Sequence, residues 1–230
     1  MTENKSVRLM VDDREITARP GDMLLAACLN NDIYIPHLCY LKGDDDPPAS
    51  CRLCFVEVEG IQRPVTACTV RVAENMRVKT DTAAVRRLQR SAFELLLSVH
   101  HVACRSCPAN RRCDLQKIAR FLKVGLKVKR LDLYLKDAEK DAAHPVLDYF
   151  PNRCVLCGKC IRVCVRQNGN AILTFAGRGF DTLIRYYGGQ DPDRLPCRDC
   201  LACVDVCPVG ALVPKEPLRD TSPGEAASQR

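Results

Sequence analysis

CVLCGKCIRVC at 154–164 and CRDCLACVDVCPVGAL at 197–212 decide how this chain reads. Each carries four cysteines at the spacing C-x2-C-x2-C-x3-C. They are Cys154, Cys157, Cys160 and Cys164 in the first run, and Cys197, Cys200, Cys203 and Cys207 in the second, where Pro208 follows. Two further groups lie upstream. Cys39, Cys51, Cys54 and Cys68 are spaced C-x11-C-x2-C-x13-C, and Cys104, Cys107 and Cys113 are spaced C-x2-C-x5-C. These groups use 15 of the 16 cysteines and leave Cys28 on apolar sequence, as a small core residue would be. Random enrichment would leave several orphans.

So many thiols mean either a disulfide framework or metal ligation. A disulfide protein needs an export signal, and MTENKSVRLMVDDREITARPG is charged with no apolar h-region. No stretch approaches the roughly 20 apolar residues of a membrane span. The expectation is a cytoplasmic chain whose cysteines bind metal. Lys and Arg exceed Asp and Glu by 35 to 28, a formal net charge of +7. Such an excess suggests nucleic acid as a partner, but metal–thiolate centres are anionic and offer an internal use for it. Arg153, Lys159, Arg162, Arg166 and Arg198 stand beside predicted ligands.

Residues 6–19 alternate around Asp12-Asp13 and predict a β-hairpin. MLLAACLNN predicts a short helix with Asp22 near its start, and FVEVEG (55–60) and PVTACTVRV (64–72) predict strands. The order suggests a β-grasp domain over 1–80. Apolar positions three and four apart from Thr82 to His100 predict an amphipathic helix, and 113–128 a second, within a helical segment 81–128. Residues 129–150 read as a connector, 151–214 as the unit bearing the two runs, and 215–230 as a polar tail. The fold class is α+β.

Three cysteines cannot complete a four-iron cage, so the second group needs a fourth ligand. His100 and His101 both stand near Cys104, and spacing alone does not choose between them. The two downstream runs resemble those of bacterial two-cluster ferredoxins, in which the fourth Cys of each run ligates the other cluster. That resemblance implies one [4Fe-4S] set of Cys154, Cys157, Cys160 and Cys207, and another of Cys197, Cys200, Cys203 and Cys164. Val165 departs from the usual Pro, and the spacer 165–196 is longer than in small ferredoxins. PHLCY, CRLCFVEVEG and RPVTACTVRV resemble the N-terminal [2Fe-2S] domain of the complex I large subunit and of iron-only hydrogenases. That implies a [2Fe-2S] set of Cys39, Cys51, Cys54 and Cys68. The same families carry H-x3-C-x2-C-x5-C followed by a Leu-Gln pair, matched by Leu115-Gln116. The match implies a [4Fe-4S] cluster on His100, Cys104, Cys107 and Cys113. NGNAILTFAGRGFDTLI resembles the same relatives. One [2Fe-2S] and three [4Fe-4S] clusters would carry about −7 with their ligands, cancelling the formal charge.

The resemblance spans roughly 1–214 and comes nearest to the diaphorase gamma, or electron-transfer, subunit of NAD(P)-linked cytoplasmic hydrogenases. It implies a relay between a flavin subunit that meets NAD(P)H and hydrogenase catalytic subunits, with no catalytic residue and no nucleic-acid partner of its own. The same relay in an NAD-linked formate dehydrogenase, a free multi-cluster carrier and a zinc-bound interaction module are the competing readings. No G-x-G-x-x-G loop follows a strand, and there is no nucleophile elbow or HExxH. Gly177 and Gly179 in AGRGF stand outside any phosphate-loop context.

Overall fold

The computed structural model describes residues 6–187 and 196–215. The chain is mixed α and β. The predicted hairpin forms as β1 (Val7–Val11) and β2 (Arg14–Ala18), paired antiparallel across Asp12-Asp13. Asp12 takes φ 54 in the turn, and its carboxylate accepts from the Thr80 backbone N–H at 2.8 Å and hydroxyl at 2.7 Å. Strand β3 (Phe55–Val58) pairs with β4 (Val65–Thr66), and the sheet order is β2-β1-β5-β3-β4. Its central strand β5 (Arg77–Lys79) runs parallel to β1 and escapes the sequence reading. It is three residues long, and only Val78 faces inward.

Helix α1 (Leu24–Asn30) buries Leu24, Leu25, Ala27 and Cys28 against Leu9, Val11, Ile16, Val56 and Val78 of the sheet. Asp22 does not cap it, because Met23 holds the cap position. Asp22 instead closes the preceding turn by accepting from the Arg19 N–H. The strand expected over 64–72 breaks after Thr66 into a 3-10 turn, Ala67–Thr69. The Thr69 hydroxyl donates to the Thr66 carbonyl at 2.9 Å and holds that break, which turns Cys68 inward.

Helix α2 (Ala83–Ser98) begins where Thr82 caps the Val85 N–H, and buries Val85, Gln89, Ala92, Phe93 and Leu97. Helix α3 (Asp114–Leu122) buries Leu115, Ile118, Ala119 and Leu122. It stops six residues short of the predicted end because Lys123 turns left-handed at φ 54. The connector ends in a strand, β6 (Leu147–Tyr149), which pairs with β9 (Leu212–Pro214). Between them lie α4 (Lys159–Asn168), the hairpin of β7 (Leu173–Ala176) and β8 (Leu183–Tyr186), and two single-turn helices, α5 (Cys197–Cys200) and α6 (Ala202–Asp205). Gly177 has a conformational role here: at φ +76, a Cβ would stand 2.5 Å from the Asp181 carbonyl oxygen in the β7–β8 turn. The predicted tail beyond Lys215 lies outside the described residues.

Two large hydrophobic cores result, with a small third cluster of Cys164 and Ile172. One fills the sheet under α1. The other joins α2, α3 and the downstream elements, and also takes Leu38, Cys39, Cys51 and Leu53 from the N-terminal loop. That loop therefore lies at the seam between the two.

Candidate metal centres

All 16 cysteines are unpaired thiols. In the first set Cys39, Cys51, Cys54 and Cys68 are all buried. Cys39 and Cys51 approach to 3.4 Å between sulfurs, and Cys54 neighbours Cys68. Each contact lowers one pKa of its pair, that of Cys39 and that of Cys68, because the partner thiol donates to the sulfur that ionises. The other two are pushed up by holding the shared proton and by burial.

In the third set Cys154, Cys157, Cys160 and Cys207 line one small enclosed cavity with Tyr149, Val155, Ile184, Val209 and Leu212 among its walls. Burial, then the neighbouring thiols, pushes Cys157 up to about 12 and raises Cys160 further. Cys164 stands with Cys197, Cys200 and Cys203 in the fourth set, where burial first pushes Cys197 up to about 11 and Cys203 up to about 12. Such thiols keep their protons in an apolar wall, whereas coordination to iron removes them.

Backbone geometry prepares these walls for negative charge. Arg52, Leu156 and Leu201 each sit inside a C-x2-C step with φ of 52, 50 and 42. An isolated left-handed residue in such a loop turns successive N–H groups toward one side, the nest arrangement that receives anions. N–H groups reach sulfur from Leu156 to Cys154 at 3.4 Å, from Ile172 to Cys164 at 3.4 Å and from Ala211 to Cys207 at 3.3 Å. The Tyr149 hydroxyl stands beside Cys154 and acts against the burial that raises its pKa. These donors favour thiolate, and no cysteine spacing reveals them.

In the second set Cys113 is buried while Cys104 and Cys107 are half-buried. Cys107 stands beside Cys113, and Cys104 closes a 3-10 turn onto Cys107. Gln116 binds the loop by accepting from the Arg111 N–H at 2.9 Å and donating to Asn110 at 2.9 Å, which gives the Leu-Gln signature a physical role. His100 is 8% exposed, while His101 is exposed. The Nδ1 of His100 lies 2.9 Å from the Arg153 carbonyl, so Nδ1 carries the proton. That leaves the Nε2 lone pair free to ligate, the arrangement found in metal-bound histidines. Burial holds His100 down to about 4, which keeps it neutral. No hydrogen bond joins His100 to the three thiols among the described residues.

The basic residues beside the ligands only partly serve the thiols. Lys159 acts on Cys157, but Arg153 stacks on Phe150, and Arg162 and Arg166 clasp Asp44. Among the described residues no three His, Cys, Asp or Glu side chains converge closely enough to hold a single ion. A concavity of about 800 Å³ beside Arg86, Arg87 and Arg90 has no cysteine in its wall. No helix among the described residues is long and apolar enough to cross a membrane.

Residues 4–83 match the family described as 2Fe-2S iron-sulfur cluster binding domain, and 89–126 the NADH-ubiquinone oxidoreductase-G iron-sulfur binding region. The chain is 34% identical over 209 residues to the NADPH-Fe(3+) oxidoreductase subunit alpha of Geobacter sulfurreducens, covering 91% of this chain and 24% of that protein. It is 32% identical to NADP-reducing hydrogenase subunit HndD of Solidesulfovibrio fructosivorans, covering 90% and 36%. It is also 31% identical to the NADH-ubiquinone oxidoreductase 75 kDa subunit of Reclinomonas americana, covering 91% and 29%. The chain thus spans about a quarter to a third of these curated relatives. A chain in the crystal structure of an NAD+-reducing [NiFe]-hydrogenase in the H2-reduced state superposes with TM-score 0.79 at 30% identity, covering 92% of this chain and 88% of that one. With cluster-binding domains of both kinds and matches along nine-tenths of its length, the chain belongs to the family of iron–sulfur electron-transfer subunits shared by the NADH-ubiquinone oxidoreductase 75 kDa subunit and NAD(P)-linked hydrogenases.

Proposed function

We propose that this chain is the relay subunit of an NAD(P)-linked hydrogenase, standing between a flavin subunit that meets NAD(P)H and the hydrogenase catalytic subunits. The proposal assigns one [2Fe-2S] cluster to Cys39, Cys51, Cys54 and Cys68. It assigns three [4Fe-4S] clusters to His100, Cys104, Cys107 and Cys113; to Cys154, Cys157, Cys160 and Cys207; and to Cys164, Cys197, Cys200 and Cys203. When bound, such clusters accept and pass single electrons. The chain's own residues hold the cages, exclude water from them and supply N–H donors to their sulfurs.

One observation supports the assignment: Cys207, from the second run, stands in the same cavity wall as Cys154, Cys157 and Cys160 of the first. A zinc module would need four ligands on one ion, with sulfurs about 3.8 Å apart for bonds of about 2.3 Å. Among the described residues no three such ligands converge closely enough for one ion, which favours a larger group.

The sheet order with β5 parallel to β1 supports a β-grasp domain over 1–80. A segment over 81–128 holding one His and three Cys ligands, and a two-cluster ferredoxin domain over 151–214, complete the proposed layout. β6 extends the last unit back into the connector over 129–150, to residue 147. A cytoplasmic setting follows from the need to keep the thiols reduced.

Anaerobic isolation of the native complex tests the reading. The expected result is a brown protein with about fourteen irons per chain and matching acid-labile sulfide, accompanied by flavin and hydrogenase subunits. A colourless or zinc-loaded chain refutes the cluster reading. An iron-loaded chain that purifies alone refutes the partners.

A further inference from the structure

Asp44 and Arg162 join parts of the chain 118 residues apart. Their contact and the neighbouring Arg166–Asp44 pair are, among the described residues, the only ion pairs that link residues below 80 to residues above 150. Asp44 lies in the turn after Cys39, held there by the Leu41 N–H at 3.2 Å, and its side chain is only 7% exposed. Arg162 projects from α4, about one turn beyond Cys157. Its Nε donates to Asp44 at 3.1 Å, one terminal nitrogen donates to the Cys157 carbonyl at 3.3 Å, and the other to the Cys39 carbonyl. Arg166 donates to the Lys42 carbonyl at 2.9 Å and completes the clasp.

Cys39 belongs to the first thiol set and Cys157 to the third. One planar guanidinium therefore touches the backbone of a predicted ligand from each. From the Cys39 sulfur to the Cys157 sulfur, the path is covalent except for two hydrogen bonds through Arg162. A simple salt bridge would need neither carbonyl contact, and Lys, whose donors share one nitrogen, lacks the planar fork that spreads them over three. Resting on the cluster assignment above, we propose that Arg162, oriented by Asp44, is a positioning residue that fixes the spacing between the [2Fe-2S] site and the adjacent [4Fe-4S] site and provides their bonded electronic connection. The clasp also places a positive charge between two centres that are negative when loaded.

The test uses the full chain in its native complex, loaded with iron. Arg162→Met and Arg162→Lys are compared with wild type by iron and sulfide content, redox titration, and the spin relaxation of the reduced [2Fe-2S] signal. Arg162→Met is expected to retain its iron, to relax at least twofold more slowly, and to lose at least tenfold in the rate of electron exchange between the two sites. Its midpoint potentials fall at both. Arg162→Lys restores the potentials, since the charge returns, but not the relaxation or the rate, since the fork does not. An iron-replete Arg162→Met with unchanged relaxation and rate overturns the proposal. If Arg162→Met loses iron, Arg162→Lys decides, and unchanged relaxation there overturns it equally. A wild-type protein without iron would instead refute the underlying cluster reading, before any variant is compared.

Discussion

Gly210→Ala tests whether the loop after Cys207 is wedged against the loop of Cys104, Cys107 and Cys113. Gly210 has φ +65, and a Cβ placed there would stand 2.8 Å from the Ala109 Cβ and 3.3 Å from the Ala109 nitrogen. The Asp114 N–H already bonds the Pro208 carbonyl at 2.9 Å, so the two loops cannot slide apart freely. The left-handed backbone alone costs a residue with a Cβ about 1–2 kcal/mol, and overpacking adds about 1–3 kcal/mol, for a loss of roughly 2–5 kcal/mol. Gly169→Ala is the control: its φ is +74, but nothing lies within 4 Å of the added Cβ, so only the backbone cost applies. Denaturant unfolding of anaerobic protein, followed by circular dichroism and by cluster absorbance, should show Gly210→Ala unfolding well before Gly169→Ala. Adding Ala109→Gly to Gly210→Ala should recover most of the clash, less about 0.5–1 kcal/mol for the new glycine's freedom. Equal losses for the two single variants, within about 0.5 kcal/mol, would refute the wedge.

His144 is buried, and its Nδ1 accepts from the Val146 and Leu147 N–H groups, both at 3.1 Å, so it must stay neutral. Burial, then Lys215, lowers it from 6.5 to about 4. The unfolded chain takes up a proton as pH falls through about 6.5 while the folded chain does not until about 4. Stability present above 6.5 is therefore lost over that window, by about 2 kcal/mol at pH 5, and His144→Gln should flatten that loss in unfolding titrations. His100→Ala should disturb the spectrum of one cluster while His101→Ala leaves it near normal; loss of that signal in His101→Ala alone would reverse the assignment. Cys28→Ala should keep its full iron content, because that thiol is fully buried under the sheet and pushed up to about 12 by burial; a loss of about four irons would break the ligand count.

The candidate ligand groups were legible in the cysteine spacing, because coordination demands fixed residue types at short separations, and these can be read in one dimension. The hairpin, α1 and α2 were legible for a similar reason: their periodic apolar positions face a single core. β5 was not, since one inward Val in three residues leaves no period to read. The early stop of α3 was also hidden, because nothing in the composition of Lys123 announces a left-handed turn. The clasp at Asp44 lay beyond sequence reading altogether. Arg162 looked like charge compensation for nearby thiolates, whereas its hydrogen bonds go to two carbonyls and a carboxylate from both ends of the chain.

The left-handed residues Arg52, Leu156 and Leu201 bear on how the chain behaves when its proposed metal is missing. Each holds its loop at a backbone angle that costs about 1–2 kcal/mol to a side chain larger than glycine. Filling the proposed cage would offset that cost, and an empty chain would go on bearing it. Copies that miss their metal should thus open first at the very loops meant to grip it, and present those loops to proteases before they can enter a complex as dead wire.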